Sequence, residues 1–263
     1  MGEAGDRRAR AVFLGRRRYA PVHALQQALV TARSEGLIGD MILLVEHDPV
    51  VTLGRAAEPG NVLFSEEVLR ARGVDRVETG RGGDVTFHGP GQLVGYPILD
   101  LKPDRCDVRR YVRSLAEVMI LIARDHHVEA GVVDGMIGVW ADRAAPGQWA
   151  GAPWATDLVK IGAIGVRLSR FVTMHGFALN LCVDLASFGL IVPCGIREHG
   201  VSSIEALGGR SSSVREVALG AAPRLAQGLA YEVDGVLDLS AVDDLEGALL
   251  GAIPAADRAK LFA

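Results

Sequence analysis

Strand-like and helix-like segments follow one another along the chain without a strict strand–helix–strand order. Apolar runs and alternating patterns predict strands at residues 11–14, 41–47, 73–79, 93–101, 135–142, 158–169 and 171–183. Helical spacing predicts helices at residues 19–34, 65–72, 107–126 and 213–233, the last one weakened near Pro223. Parallel strands need a crossover connection, usually a helix, and this chain has too few helices for that. The order therefore indicates an α+β fold with a mixed β-sheet flanked by helices.

Three local features refine this prediction. Pro97 cannot donate to a strand ladder, so it predicts an edge or a bulge for the strand at 93–101. The two strands at 158–169 and 171–183 are adjacent in sequence and predict a hairpin. Asp107 has the right chemistry to cap the longest helix.

The composition limits the class of protein. The chain has 263 residues, of which 49% are hydrophobic and 23% charged, which predicts a single domain over residues 11–263 after a flexible basic tail at 1–10. The net charge of −4 argues against a nucleic-acid partner. We also expect no association with a membrane, because no apolar stretch approaches the length of a spanning helix. Three cysteines and no secretory leader indicate a reducing, cytoplasmic location.

A basic cluster near the amino terminus allows two interpretations. The side chains could simply be solvated, or they could steer an acidic carrier protein to this surface by charge. The cluster consists of Arg7, Arg8, Arg10, Arg16, Arg17 and Arg18.

The densest group of glycines lies in the segment TGRGGDVTFHGPGQLVGY at residues 79–96. Glycines let a backbone approach a ligand closely, although Gly-Gly-Asp is also ordinary turn chemistry. Arg81 and His88 are the basic groups within this loop. The spacing matches neither a phosphate loop nor a dinucleotide-binding fingerprint, which weakens any claim of nucleotide binding.

Lys160 and Cys194 are the two candidate reactive residues. Only three of the 28 basic residues are lysines, and Lys160 stands in the apolar, glycine-rich run VKIGAIGVR. It is either a partly desolvated amine or a lysine whose ammonium reaches solvent from an edge strand. Cys194 lies between Pro193 and Gly195 in a turn, whereas the other two cysteines have settings typical of a buried hydrophobe and a surface thiol. The cysteine spacing excludes a zinc site.

Six motifs together resemble the octanoyltransferases of lipoate synthesis, the lipoate-protein ligase B family. The resemblance implies a single α+β domain similar to the catalytic domain of lipoate and biotin ligases, and an acyltransferase without a cofactor. It implies octanoyl transfer from octanoyl-acyl carrier protein to a lysine on lipoyl domains of 2-oxoacid dehydrogenase complexes and on the glycine cleavage H protein. The motifs are EHDPVVTLGR (46–55), RGGDVTFHGPGQLVGYPILDL (81–101), GVW (138–140), KIGAIGVR (160–167), HGFALN (175–180) and PCGI (193–196).

The same resemblance assigns roles to residues. Cys194 would carry the acyl group as a thioester, and Lys160 would activate the thiol. An arginine in place of Lys160 could hold a thiolate but could not exchange protons. His88 could position the acceptor amine or close its loop by a hydrogen bond, and His175 could be structural or functional. The substrate-binding residues implied are Arg81, Gly82, Gly83, Asp84, Val85, Thr86, Phe87, His88, Ala163, Ile164, Gly165, Gly176, Phe177 and Ala178.

Two other functions remain open at this point. An ATP-dependent lipoate or biotin-type protein ligase would share the architecture and the strand lysine, but it would not need Cys194. A non-catalytic module that binds lipoyl domains would leave both reactive groups unused.

Overall fold

A computed structural model describes residues 7–192, 199–210 and 212–262. The strands are β1 (Ala9–Arg17), β2 (Asp40–His47), β3 (Val50–Leu53), β4 (Asp75–Glu78), β5 (Val85–His88), β6 (Gln92–Ile98), β7 (Gly131–Val133), β8 (Met136–Asp142), β9 (Leu158–Ser169), β10 (Val172–Asn180), β11 (Gly200–Val201) and β12 (Val236–Asp238). The helices are α1 (Tyr19–Ser34), α2 (Glu66–Ala71), α3 (Val108–Asp125), α4 (Val214–Gly220), α5 (Ala222–Leu229), α6 (Leu245–Leu250) and α7 (Ala255–Arg258).

The main sheet is mixed, as the sequence predicts. Its strand order is β12-β1-β2-β6-β10-β9-β8-β7, and β11 adds to β9. The pairs β1–β2, β1–β12 and β9–β11 are parallel, whereas β2–β6, β6–β10, β9–β10, β8–β9 and β7–β8 are antiparallel. A small second sheet has the order β4-β3-β5. The α+β prediction is therefore confirmed, with helices packed on both faces of the main sheet.

Successive residues of the central strands contribute their side chains to two separate hydrophobic cores. On β10, Phe177 and Leu179 belong to the core beneath α3, α4 and α5, whereas Ala178 belongs to the core beneath α1 and α6. This alternation follows from the two-residue period of a strand. A third, smaller core lies under the second sheet.

Local sequence signals explain the helix that borders the site. The carboxylate of Asp107 accepts a hydrogen bond from the backbone N–H of Arg110 at 3.0 Å, so it caps α3 as predicted. Tyr111, Leu115 and Met119 are buried at helical spacing against the main sheet. In the described part of the chain, no helix is long and apolar enough to cross a membrane.

Three sequence predictions need correction. The strand with Pro97 lies in the centre of the main sheet, not at an edge, and Pro97 falls where pairing between β6 and β10 is interrupted after Gly95. Residues 7–10 of the predicted tail belong to the fold, because β1 begins at Ala9 and the Arg7 carbonyl accepts from the N–H of Glu232; the rest of that prediction, at 1–6, lies outside the described residues. The segment 213–233 forms two helices, and β12, α6 and α7 follow it.

The amino-terminal arginines are largely neutralised within the chain. Ion pairs join Arg7 to Asp104, Arg8 to Glu232, Arg16 to Asp48 and Arg18 to Asp75. The Arg17 guanidinium donates to carbonyls of the segment 239–242. These contacts argue against this cluster as the docking surface for an acidic carrier protein, since four of its six charges are already paired.

Candidate active site

A cavity of about 590 Å³ lies beside β9 and β10, within the size range of small-molecule sites. The glycine-rich loop closes one side, and the first turns of α1 and α3 close others. Val108, Gly135 and Ile137 are exposed at its rim. The lining includes Tyr19, residues 81–84, Thr86, His88, Val94, Tyr96, Val108, Val112, residues 135–137, Lys160, residues 163–166 and residues 175–178.

The structure brings together three of the segments that the resemblance singled out. The loop at 81–84, the β9 segment at 163–165 and the β10 segment at 176–178 all face the cavity, with Thr86 and His88. Val85 and Phe87 do not line it. Side chains alternate along β5, so these two point into the small core, where the Phe87 ring contacts Phe188 at 5.7 Å between centroids.

Hydrogen bonds hold the glycine-rich loop against the sheet. The Gly82 N–H donates to the Val166 carbonyl at 2.9 Å, and the Arg81 guanidinium donates to the Thr52 carbonyl at 2.6 Å. Gly165 permits this approach, because a Cβ there would lie 3.0 Å from the Gly82 carbonyl oxygen. A larger residue at position 165 would therefore push the loop away from β9.

His88 begins a chain of buried hydrogen bonds. Its Nδ1 lies 2.7 Å from Gln92 Oε1, and the Gln92 amide donates to Asn180 Oδ1 at 2.9 Å. The Asn180 amide donates to the Ser202 carbonyl, and the Ser202 N–H donates to the Lys160 carbonyl, both at 2.9 Å. This series of hydrogen bonds thus links the glycine-rich loop to the backbone of Lys160 on β9. Sequence analysis missed Gln92 and Asn180, although both lie in the motifs quoted above.

Lys160 is buried at the cavity, with 9% of its surface exposed. Its Nζ lies 5.4 Å from the centre of the Trp140 ring, within the range of a cation–π contact. Gly138 makes room for the side chain, since a Cβ there would lie 2.5 Å from Lys160 Cε. The sequence interpretation of Lys160 as an edge lysine reaching solvent is wrong, because β9 is internal to the sheet.

Cys194 lies outside the described residues, together with Pro193 and Gly195. Its predicted meeting with Lys160 stays a prediction. The chain is described again from His199, whose ring contacts the Trp140 ring edge-on at 5.7 Å between centroids.

Stacked rings form a column at the α1 side of the cavity. Ring centroids are separated by 5.5 Å for His175–His23, 5.7 Å for His23–Tyr19 and 6.2 Å for Tyr19–His88. Burial lowers the pKa of His175 and of His88 to about 3. Both imidazoles are therefore neutral at physiological pH.

His47 lies against this column and is also neutral. Burial lowers its pKa to about 4. Its Nδ1 is 3.0 Å from the Arg17 carbonyl and its Nε2 is 2.8 Å from the Tyr96 hydroxyl. A neutral imidazole fits these partners, donating to the carbonyl and accepting from the hydroxyl. Among the described residues, no group of three His, Cys, Asp or Glu side chains is placed to hold a metal ion.

Comparisons with known proteins agree with this fold. The family described as "Lipoyl protein ligase A/B catalytic domain" matches residues 18–222. A bipartite lipoate protein ligase from Thermoplasma acidophilum has the same fold, with a TM-score of 0.65 at 14% identity over 98% of this chain and 92% of that one. A lipoate-protein ligase A solved with ATP gives a TM-score of 0.64 at 15% identity, covering 98% of this chain and 94% of that one. The chain belongs to this family of catalytic domains.

Relatives found by sequence narrow the assignment of this chain within the family. An octanoyltransferase of Myxococcus xanthus is 50% identical over 205 residues, which are 78% of this chain and 55% of that protein. The aligned region thus spans about half the length of that relative. An octanoyltransferase of Koribacter versatilis is 47% identical over 206 residues, which are 78% of this chain and 77% of that protein. Within the family, the chain groups with the octanoyltransferases, which are acyltransferases.

Proposed function

We propose that this protein transfers an octanoyl group from octanoyl-acyl carrier protein to a lysine of lipoyl domains through a thioester on Cys194. The observation that carries the proposal is the convergence of Lys160, the glycine-rich loop and the 176–178 segment on one largely apolar cavity. An octanoyl tail would bury six or seven carbon groups there, worth about 5 kcal/mol at about 0.8 kcal/mol each.

The proposed reaction uses two acyl transfers. The Lys160 amine accepts the Cys194 thiol proton, and the thiolate attacks the donor carbonyl. The carbon–sulfur bond to the carrier breaks, and the Lys160 ammonium protonates the departing pantetheine thiolate. The acceptor amine then attacks the Cys194 thioester, an amide bond forms, and the amine's proton goes through Lys160 to the Cys194 thiolate.

The surroundings of Lys160 support this pairing. His199 contacts the same Trp140 ring as Lys160, and Val201 pairs with Lys160 across β9 and β11. Four residues lie between Cys194 and His199, so five Cα–Cα steps join them and span at most about 18 Å. A chain of this length can bring Cys194 to Lys160, as the proposed pairing requires.

A basic helix face beside the rim supports an acidic carrier as donor. Arg109 and Arg113 are exposed on α3, next to the cavity-lining Val108 and Val112. Within the described ranges, neither arginine forms an ion pair. Charges of this kind steer association with an oppositely charged partner. This face therefore replaces the amino-terminal arginines as the proposed docking surface.

Intact mass measurement tests the covalent step. Incubation of the protein with octanoyl-acyl carrier protein, without ATP, should add one octanoyl group. The added mass should be absent in Cys194→Ser. A Cys194→Ser protein that still gains the octanoyl mass would refute the assignment of the thioester to this residue.

Lys160→Arg tests the proton transfer. Arginine is also long and basic, but its guanidinium stays protonated, so it can neither accept nor release a proton at neutral pH. We expect a loss of turnover of about 100-fold or more, with an unchanged circular dichroism spectrum. Near-normal turnover would exclude proton exchange at this position.

Charge reversal tests the docking surface. The double variant Arg109→Glu, Arg113→Glu should raise the KM for the octanoyl carrier about tenfold at low salt, and the difference should shrink as salt screens the charges. Arg124→Glu, near the other end of the same helix, is the matched control and should leave this KM unchanged. Equal effects of both changes would contradict a specific surface.

An ATP-dependent ligase is the second candidate, because the structural neighbours share the fold. A ligase would require the free acid and ATP, and it would form no Cys194 thioester. Product formed only when ATP and free octanoate are supplied would favour this alternative.

A further inference from the structure

His175 presents two polar atoms without a partner at the cavity. It is 2% exposed and lines the cavity, and within the described part of the chain neither Nδ1 nor Nε2 has a hydrogen-bond partner. Buried polar groups in native proteins are nearly always paired, and each exception needs an explanation. A neutral imidazole offers one donor and one acceptor there.

Two side chains of α1 next to His175, His23 and Gln26, also carry polar atoms without a hydrogen-bond partner among the described residues. His23 stacks on the His175 ring, and Gln26 Oε1 accepts the backbone N–H of His175 at 3.2 Å. His23 Nε2 and Gln26 Nε2 also lack a partner in the part of the chain that the structure describes. Four polar atoms without a partner thus belong to three neighbouring side chains, of which His175 lines the largely apolar cavity.

The strand register gives the separation along the strands between the reactive amine and this polar end. A Cβ built on Gly138 lies 3.2 Å from Lys160 Nζ and 2.5 Å from the Gly162 carbonyl oxygen, so the amine is level with Gly162. His175 pairs with Val166, four residues further along β9. At about 3.3 Å per residue this separation is about 13 Å.

An octanoyl chain fits this length. Its seven carbon–carbon bonds of about 1.5 Å give an extended length of roughly 9 Å. If the carbonyl carbon lies about 4 Å from the amine, the terminal methyl reaches the level of His175 along the strands. A dodecanoyl chain is roughly 5 Å longer. Its last carbons would have to pass the imidazole and would bury the two ring nitrogens against hydrocarbon.

We propose that His175 is a specificity-determining residue, whose unpaired imidazole nitrogens form a polar end wall that limits the acyl chain to about eight carbons. The inference rests on the proposed octanoyl transfer and adds the residue that selects the chain. His23 and Gln26 support it from α1, by stacking on the ring and by holding its backbone.

One test uses the unchanged protein with three acyl chains on the same carrier: octanoyl, 8-hydroxyoctanoyl and dodecanoyl. The terminal hydroxyl can pair with the imidazole, so we expect its kcat/KM to lie within about fivefold of the octanoyl value. Against an apolar wall the same hydroxyl would be buried unpaired, at a penalty of roughly 5- to 150-fold. A loss clearly larger than about fivefold would therefore overturn the proposal, as would dodecanoyl transfer at the octanoyl rate.

A second test changes the wall itself. His175 has a left-handed backbone, with φ of 59°, which asparagine also tolerates. His175→Asn shortens the side chain and should raise the ratio of dodecanoyl to octanoyl kcat/KM at least tenfold. His127→Asn is the matched control, because His127 is exposed and also left-handed, with φ of 64°.

The possible results distinguish a failure of the end-wall proposal from a failure of the proposed octanoyl transfer. An equal loss for both chain lengths in His175→Asn would indicate a purely structural role and refute the end wall. If that variant does not fold, the measurement with three chains on the unchanged protein still decides. Absence of octanoyl transfer by the unchanged protein would instead refute the proposed function.

Discussion

Mild acid should destabilise this protein, because the folded state keeps three buried histidines neutral. Burial lowers the pKa of His47 to about 4, and the pKa values of His88 and His175 to about 3. In the unfolded chain an ordinary histidine has a pKa of about 6.5. Below that pH the unfolded state binds more protons than the folded state, so the free energy of unfolding falls as the pH falls.

The magnitude follows from these shifts. Between about pH 7 and pH 5, each such histidine loses about 2 kcal/mol of stabilisation. Three histidines acting independently would lose about 6 kcal/mol, which is a large part of the 5–15 kcal/mol that stabilises a typical protein. Carboxylates in proteins generally titrate near pH 4, below this interval, so we expect the histidines to dominate it.

Urea unfolding followed by far-ultraviolet circular dichroism, at several pH values from 7 to 5, measures this loss. In His88→Gln one titrating group is removed, so the pH dependence should fall by about a third even if the variant is less stable. In His127→Asn the full dependence should remain, since that side chain is exposed. A change below about 1 kcal/mol over this range in the unchanged protein would refute the reasoning.

Two glycine substitutions give further predictions. Gly138→Ala places a Cβ 2.5 Å from Lys160 Cε, so turnover should fall about tenfold or more with little change in KM, as measured by steady-state octanoyl transfer. Gly147→Ala, which meets nothing within 4 Å, should leave turnover unchanged, and equal effects would contradict a positioning role for Gly138. Gly95→Ala would drive a Cβ into the Phe177 ring and should lower the free energy of unfolding by about 1–3 kcal/mol in urea, whereas an unchanged midpoint would show that the ring can move aside.

Local patterns predicted most secondary structure because their causes lie within a few residues. The helix α1 occupies the predicted residues 19–34, and α3 begins after the cap supplied by Asp107. The predicted hairpin is formed by β9 and β10, with the pairing Val172–Ser169 next to its turn. Amphipathic spacing, capping and turn chemistry act on the local backbone, so a sequence can be interpreted for them directly.

The sequence by itself determined the family, the mixed α+β fold and the motifs that carry the candidate reactive groups. Only the tertiary structure decided that Val85 and Phe87 face a core, and that Pro97 lies in a central strand. Only the tertiary structure, too, brought His23 of α1 against His175 of β10. Strand pairing and helix packing join positions that are far apart in the chain, and no local pattern encodes which side chains will meet there.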